Sequence, residues 1–314
     1  MARSTATPVA ASGTVNPAVP GRSPALQLLL SLRPAQWSKN LLVFAGLIFG
    51  HKLFDAAAVA DAVAAFAVFC ALSGVVYLVN DIADRDSDRQ HPLKAHRPIA
   101  SGALSVPLAA GAALALGAAG LAAAYAIGPL FAGVAAAYLA LQMLYSFALK
   151  HIVIIDVLTI AIGFVLRAVG GAVAVQVEIG HWLLVCTILL ALFIALAKRR
   201  HEIVLLADGA SQHRRILGEY SPYLLDQMIG VVTASTLISY VFYTISPETQ
   251  EKFGTAWLGL TIPFPLSGIF RYLYLVHQRE GGGSPADLLL TDRPLLACVA
   301  LWALTVAVII YRPV

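Results

Sequence analysis

Charged residues are scarce in this sequence: Asp, Glu, Lys and Arg make up only 12% of its 314 residues. A water-soluble domain carries about twice that fraction, so the composition excludes an ordinary soluble globule. Hydrophobic residues make up 59%, and the mean hydropathy is +0.80. Apolar runs of about twenty residues recur, and each is long enough to cross a hydrocarbon core of about 30 Å as a helix. The sequence therefore predicts an all-α, polytopic membrane protein whose first partner is the lipid bilayer.

Cysteine is also rare, and the N-terminus contains no apolar stretch. Cys70, Cys186 and Cys298 lie singly in apolar runs, which excludes a disulfide framework and gives no metal-ligand spacing. Residues 1–24 are rich in Ala, Pro, Ser and Thr and lack the apolar segment of a secretory signal. We interpret residues 1–24 as a disordered cytosolic tail and residues 25–314 as the membrane domain.

The apolar runs give nine candidate spans, and the basic residues orient them. With the tail inside, 17 of the 21 Lys and Arg residues lie on cytoplasmic segments and only three lie outside, as the positive-inside rule requires. This topology puts the charged stretch at residues 80–102 on the cytoplasmic face, and we expect the chain in the plasma (inner) membrane. A net charge of +4 is not by itself a nucleic-acid signal, and we expect no nucleic-acid partner. The predicted spans are 38–54, 58–79, 107–127, 129–148, 152–174, 181–197, 226–245, 255–276 and 294–311.

One short cytoplasmic stretch, NDIADRDSDRQHPLKAHRPIASG (80–102), collects the charge that the rest of the chain avoids. Tyr77, Asn80, Asp84 and Asp88 follow one another at helical spacing, with Asp81 beside them, so the prediction is one acidic stripe on a helix that continues through Asp88. Stacked carboxylates repel one another unless a hard cation binds them. Carboxylate and amide oxygens suit Mg²⁺, which keeps coordination positions open for phosphate oxygens.

A plainer interpretation competes with this metal site. The stripe is then a solvated helix end whose acids pair with Arg85 and Arg89. The loop that follows contains Lys94, His96 and Arg97, which suit the free oxygens of a metal-bound diphosphate. Basic residues also hold a loop in the cytosol by charge alone, but that does not explain their position directly after the acids.

At these residues the sequence resembles a known family. The spacing Asn80-Asp81-x-x-Asp84-x-x-x-Asp88 is similar to the first aspartate motif of the UbiA-type intramembrane prenyltransferase superfamily, and RPAQWSKN (33–40) and HRPIASG (96–102) are similar to its pattern. The resemblance implies a catalytic domain of nine transmembrane helices around a central cavity open to the cytosolic side, with Mg²⁺-diphosphate bound there.

The loop after the sixth span departs from that pattern. Prenyltransferases of the superfamily carry a second acidic motif there, whereas this chain has KRRHEIVLLADG (198–209), with Glu202 and Asp208 as its only acids. A second Mg²⁺ site is therefore not expected. The basic residues of this loop either bind an anion or only retain the loop in the cytosol, and the sequence leaves both open.

The fifth span contains two charged residues, which are costly at membrane depth unless they are paired or bind a ligand. Asp156 and Arg167 are eleven residues apart, about 16 Å along a helix, so they are too far apart to pair. An anionic ligand is the better partner for Arg167.

These departures are similar to the decaprenyl-phosphate phosphoribosyltransferase branch of the superfamily. The resemblance implies Mg²⁺-dependent transfer of 5-phosphoribose from phosphoribosyl diphosphate (PRPP) to decaprenyl phosphate. The product would be decaprenyl-phosphoryl-5-phosphoribose, a precursor of cell-wall arabinan. We assign Asn80 and Asp84 as metal ligands, with Asp81 and Asp88 as supporting acids in the catalytic set. The expected PRPP-binding residues are Lys39, Tyr77, Lys94, Lys150 and Arg167, and those expected for the lipid phosphate are His151, Lys198, Arg199 and Arg200.

Other interpretations remain. Tyr77 is equally explained as an aromatic residue at the membrane interface. A true prenyltransferase with a polyprenyl diphosphate donor and an aromatic acceptor lacks its second acidic motif here. A transporter whose path runs past Asp156 and Arg167 lacks a repeat between its halves. A homo-oligomer is left open.

Overall fold

The structure is a computed structural model, and it describes residues 23–90, 94–178, 180–206, 215–278, 288 and 291–311. These residues form helices joined by short connections. In chain order the elements are α1 (Pro24–Ser31), a 3₁₀ helix (Pro34–Phe44), α2 (Ala45–Phe49), α3 (Ala56–Ala83), α4 (Arg85–Gln90), α5 (Pro98–Ser101), α6 (Val106–Ile127), α7 (Pro129–Phe147), a 3₁₀ turn (Leu149–His151), α8 (Ile155–Ala174), α9 (His181–Leu206), a 3₁₀ turn (Arg215–Glu219), α10 (Pro222–Ile245), α11 (Pro247–Phe253), a 3₁₀ turn (Trp257–Thr261), α12 (Pro263–Gln278) and α13 (Arg293–Tyr311).

Seven of these helices are long and apolar enough to cross a membrane, and an eighth span exists if α11 and the segment Trp257–Gln278, bent by 100°, count as one. The seven are α3, α6, α7, α8, α9 up to Val204, α10 and α13. The all-α, polytopic prediction is confirmed. The described residues do not give nine continuous spans.

The predicted span 38–54 is not one continuous helix. Its residues form the 3₁₀ helix and the short α2, which pack along α8. The approach is very close, because a Cβ built on Gly46 lies 2.6 Å from Ala172 Cα and one built on Gly171 overlaps the Val43 carbonyl. At the N-terminus, α1 begins at Pro24, the last residue of the predicted tail 1–24, and residues 1–22 lie outside the described part.

We expect Gly171→Ala to destabilise the protein by about 1–3 kcal/mol, because the added methyl meets backbone and not the end of a flexible side chain. Gly111→Ala on α6 is the matched control. Its added Cβ meets nothing within 4 Å, and Ala is the better helix former by about 1 kcal/mol. Unfolding in mixed detergent micelles measures both changes. Equal stability of the two variants would contradict the close packing.

Candidate active site

The acidic stretch lies where α3 ends. The helix stops at Ala83, Asp84 is its C-cap with φ −91° and ψ 8°, and α4 starts at Arg85. The prediction of an uninterrupted helix through Asp88 is therefore wrong. The break is small, because the Asp88 N–H donates to the Asp84 carbonyl at 2.8 Å. The acidic side chains accordingly stay together at this end of α3.

Two of the acids are buried and held by arginine. Asp81 and Asp88 are each 2% exposed. Arg97 donates to both, at 3.1 Å to Asp81 and 2.6 Å to Asp88, and Arg33 donates to Asp81 at 2.5 Å. Lys94 lies 3.8 Å from Asp88. These pairs offset the cost of burying two carboxylates, so Asp81 and Asp88 organise the site instead of offering free ligand oxygens.

The plainer interpretation predicts that the acids pair with Arg85 and Arg89. The buried acids Asp81 and Asp88 pair with neither. Arg89 donates to the Ala100 carbonyl at 2.9 Å and lies 3.7 Å from the exposed Asp86. Arg85 forms no ion pair among the described residues. The buried acids instead draw on arginines from before α3 and after α4, which joins three separate segments at this end of the bundle.

Asn80 and Asp84 remain as the pair suited to a metal ion. They lie one helical turn apart, and Asp84 keeps about a third of its side chain exposed. No other described residue hydrogen bonds to the Asn80 amide. No group of three His, Cys, Asp or Glu side chains in the described residues forms a metal site. One carboxylate and one amide oxygen fit Mg²⁺, which binds proteins through few ligands and completes its shell with water and phosphate oxygens.

Lys150 connects Asp84 to the turn between α7 and α8. Its ammonium lies 3.1 and 3.3 Å from the two Asp84 carboxylate oxygens. Tyr220 helps to hold this turn in place. Its hydroxyl accepts a hydrogen bond from the Ile154 N–H at 2.7 Å and donates to Asp156 at 2.8 Å. Ile154 has φ 69°, an unfavourable value for a β-branched residue. Burial raises the pKa of Tyr220 to about 12, so its hydroxyl remains a donor.

Arg167 is buried on α8 and, as predicted, does not contact Asp156. Its Nε donates to Asn40 Oδ1 at 2.7 Å, its Nη1 to the Gly163 carbonyl at 2.8 Å and its Nη2 to the Tyr138 hydroxyl at 2.7 Å. The guanidinium also lies 4.6 Å from the centre of the Tyr138 ring. The acceptors are all neutral.

The residues predicted for the lipid phosphate are not all available. Arg199 is 3% exposed and pairs with Asp156 at 2.9 Å and Glu202 at 2.6 Å. Arg200 pairs with Asp226 at 2.5 Å. Both guanidinium groups are therefore occupied by ion pairs between helices. We do not propose Arg199 and Arg200 as ligands of the lipid phosphate. Glu202 lies one turn from Arg199 on the same helix, so this pair could be expected from the sequence. Asp156 and Asp226 lie on other helices, and their pairing with Arg199 and Arg200 could not.

Three other predicted substrate-binding residues, Lys39, His151 and Lys198, form no ion pair among the described residues. Lys198 and His151 are exposed. Lys39 lies on the 3₁₀ helix, outside the seven spans. Burial, together with the nearby charges of Lys198 and Arg167, lowers the pKa of the Lys39 ammonium to about 8. Tyr77 lies under Arg33, whose guanidinium is 4.8 Å from the ring centre.

Two surface pockets lie near the ends of the bundle. One of about 510 Å³ is next to the Lys150 turn and is lined by His151, Ile152, Val153, Ile216 and Glu219. The other, about 700 Å³, lies at the opposite end of α9, around His181 and Lys252, away from the acidic residues. The first pocket therefore shares an end of the molecule with Asp84, and the second does not.

Several functional side chains escaped the sequence reasoning. Asn40, Ser73, Tyr138 and Tyr220 carry no charge, and nothing in their spacing relates them to Arg167 or Lys150. Asn40 had a signal, because it ends the RPAQWSKN motif that also contains Arg33. The other three become recognisable only when the helices are brought together.

Fold and site together define an integral membrane protein with a polar, charge-rich site at one end of a helical bundle. A model of the UbiA prenyltransferase family matches residues 40–282. The decaprenyl-phosphate phosphoribosyltransferase of Corynebacterium glutamicum is 33% identical over 289 residues, which cover 90% of this chain and 86% of that protein. The enzyme of the same name from Mycobacterium tuberculosis is 33% identical over 283 residues, covering 88% and 91%. The chain therefore belongs to the UbiA prenyltransferase family and is a transferase.

A solved structure shares the architecture. The structure of a UbiA homolog from Archaeoglobus fulgidus bound to GPP and Mg²⁺ has a TM-score of 0.70 at 21% sequence identity, and the match covers 90% of this chain and 99% of that one. This similarity shows the same fold. The transporter interpretation falls with the assignment to a transferase family.

Proposed function

We propose that the protein transfers 5-phosphoribose from PRPP to decaprenyl phosphate in the plasma membrane, at a site that faces the cytoplasm and requires Mg²⁺. The product is decaprenyl-phosphoryl-5-phosphoribose, which supplies cell-wall arabinan synthesis. One observation carries the proposal: two relatives named decaprenyl-phosphate phosphoribosyltransferase are 33% identical to the chain over about nine-tenths of its length. The single Asn80–Asp84 metal pair supports it as well, because a second acidic motif is missing.

The residues suit the reaction. The bond from ribose C1 to the diphosphate oxygen breaks, and an oxygen of the lipid phosphate forms the new bond to C1. Bound Mg²⁺ would neutralise charge on the departing diphosphate. Asn80 and Asp84 would hold that ion. Lys150, 3.1 Å from Asp84, and Lys94, 3.8 Å from Asp88, would bind the diphosphate oxygens. The lipid phosphate is already ionised at neutral pH, so the site needs no strong general base. The exposed Lys198 ammonium would attract that phosphate, and the exposed His151 imidazole would hydrogen bond to it.

The decisive experiment supplies purified protein with labelled PRPP and decaprenyl phosphate and follows labelled lipid by thin-layer chromatography. Labelled lipid that depends on both substrates and on Mg²⁺ supports the proposal. The alternative, which the family name favours, is a prenyltransferase. Turnover of a polyprenyl diphosphate with an aromatic acceptor, without any labelled lipid from PRPP, would establish it instead.

The lowered pKa of Lys39 predicts that PRPP binding depends on pH. A lysine whose pKa is lowered to about 8 loses its charge as the pH rises through that value, and only the protonated form attracts phosphate. We therefore expect the apparent KM for PRPP to rise above about pH 8. Lys39→Arg should remove this rise, because arginine stays charged. An unchanged pH profile in Lys39→Arg would show that another group titrates.

A further inference from the structure

Arg167 is a buried cation that has no counterion in the described part of the chain. Its side chain is 6% exposed, and all its hydrogen-bond acceptors are neutral: the Asn40 amide oxygen, the Gly163 carbonyl and the Tyr138 hydroxyl. No carboxylate of the described residues lies within ion-pair distance of it. A buried charge is costly unless it is paired. These hydrogen bonds orient the guanidinium but leave its positive charge unneutralised.

The other buried arginine on the neighbouring helix shows the contrast. Arg199 is 3% exposed, and two carboxylates, Asp156 and Glu202, lie within 3 Å of its nitrogens. Its charge is cancelled locally, as expected for a structural ion pair. Arg167 has the same burial and no acid. The difference points to an anion that arrives with a substrate.

The neutral acceptors are themselves held in place. Ser73 on α3 donates to the Phe69 carbonyl at 2.6 Å. Its hydroxyl oxygen lies 3.3 Å from Asn40 Oδ1 and 3.2 Å from the Tyr138 hydroxyl, which can donate to it. The Asn40 amide nitrogen donates to Cys70 Sγ at 3.2 Å, which fixes the amide with its oxygen toward Arg167. The 3₁₀ helix, α3, α7 and α8 therefore all contribute to one network around the guanidinium.

This network lies at a defined depth below the metal pair. Ser73 and Asn80 are on the same helix, seven residues apart, which is about 10 Å along the axis. The site thus has two regions that favour anions: one beside carboxylates, suited to a metal-bound diphosphate, and a deeper one with a cation and no acid. PRPP has this distribution of charge, with its diphosphate on C1 and its single phosphate across the ribose on C5. A prenyl diphosphate has only hydrocarbon at the corresponding distance.

We propose that Arg167 binds the 5-phosphate of PRPP, and that Asn40 and Tyr138 are positioning residues that hold its guanidinium while leaving its charge for that phosphate. The inference rests on the proposed function and adds to it a determinant of donor choice. A carboxylate at position 40 would still accept the hydrogen bond from Arg167 but would cancel the charge. Asn40 is therefore the position where orientation and charge can be separated.

The test measures binding of two partial substrates to purified full-length protein. Ribose 5-phosphate without Mg²⁺ probes the deeper region, and inorganic diphosphate with Mg²⁺ probes the Asn80–Asp84 pair. Asn40→Asp should weaken ribose 5-phosphate binding at least about 10-fold and Tyr138→Phe about 3- to 10-fold, with little change in diphosphate binding. Asp84→Asn should show the reverse pattern. Tyr240→Phe removes a half-buried hydroxyl that hydrogen bonds to Thr261 and Trp302 away from this network, and it should leave both affinities unchanged.

Thermal unfolding separates this role from a structural one. Asn40→Asp gives Arg167 an ion pair, so the variant should unfold at the wild-type temperature or above while binding ribose 5-phosphate less well. Unchanged ribose 5-phosphate affinity in folded Asn40→Asp or Tyr138→Phe would overturn the proposal. A wild-type protein that binds and turns over PRPP, but whose Asn40→Asp and Tyr138→Phe variants lose only diphosphate affinity, would overturn it too. Absence of any PRPP turnover in the wild type would instead refute the proposed function.

Discussion

Asp84→Asn is expected to lower the rate of transfer about 1,000-fold, since a lost metal ligand forfeits several kcal/mol of charge stabilisation on the leaving diphosphate. Asp84 is the acid of the cluster that arginine does not hold, and its neighbour Asn80 has no other partner among the described residues. Asparagine keeps the shape of the side chain but removes the negative charge of the Asn80–Asp84 pair, and two neutral amide oxygens bind a divalent cation less tightly than an amide and a carboxylate. The Mg²⁺ concentration for half-maximal activity should rise together with the loss of rate.

Stability distinguishes this effect from damage to the fold. The Lys150–Asp84 pair is partly exposed, so its loss should cost about 1 kcal/mol or less. Asp86→Asn is the matched control, because Asp86 lies two residues away with 89% of its side chain exposed. Activity and Mg²⁺ titrations of both variants are the measurement. Full transfer activity in folded Asp84→Asn, or an equal loss in Asp86→Asn, would rule out the assignment.

The long helices could be predicted because the bilayer imposes a simple rule. A segment that crosses it must be apolar for about twenty residues, and proline and glycine mark the ends, as Gly128 and Pro129 do between α6 and α7. Seven predicted spans correspond to the seven long helices. Six of them start and end within four residues of the helix in the structure, and in the seventh case α9 continues to Leu206. Polar α9 residues extend the helix beyond the apolar run.

The structure of the predicted span 38–54 could not be inferred from its composition. Its apolar residues predict one helix, but the 3₁₀ helix and α2 form because Gly46 and Gly171 let this segment approach α8 at backbone distance. That contact joins residues about 125 positions apart in sequence. A pattern of hydrophobic residues reports which side chains avoid water and carries no information on such a tertiary approach.

The site shows the same division between local and distant information. The spacing of Asn80, Asp84 and Asp88 is local, and it located the acidic cluster correctly at one end of α3. Which acids stay free depends on Arg33 and Arg97, which come from outside that helix. Charge alone likewise made Arg199 and Arg200 look like anion ligands, although acids from α8 and α10 neutralise them.

Replacing the two buried arginines by methionine should give opposite results. Arg167→Met removes a charge that no acid balances, so we expect wild-type stability or better, and an apparent KM for PRPP raised roughly 10- to 100-fold through lost charge-assisted hydrogen bonds. Arg199→Met leaves Asp156 and Glu202 without their partner, so it should cost about 3–5 kcal/mol of stability.

Steady-state kinetics with varied PRPP and varied lipid, together with unfolding in mixed micelles, measure both effects. If Arg167→Met raised only the apparent KM for the lipid, the lipid phosphate would be the ligand of Arg167. The assignment of the two substrates to the two anion sites would then be reversed. If Arg167→Met instead unfolded as readily as Arg199→Met with normal KM values, the buried guanidinium would be structural. The two variants have the same side-chain change and similar burial, so a difference between them isolates the presence or absence of a protein counterion. An unpaired cation in a membrane interior costs free energy. In the proposed complex the 5-phosphate of PRPP would supply the negative charge that Arg167 lacks.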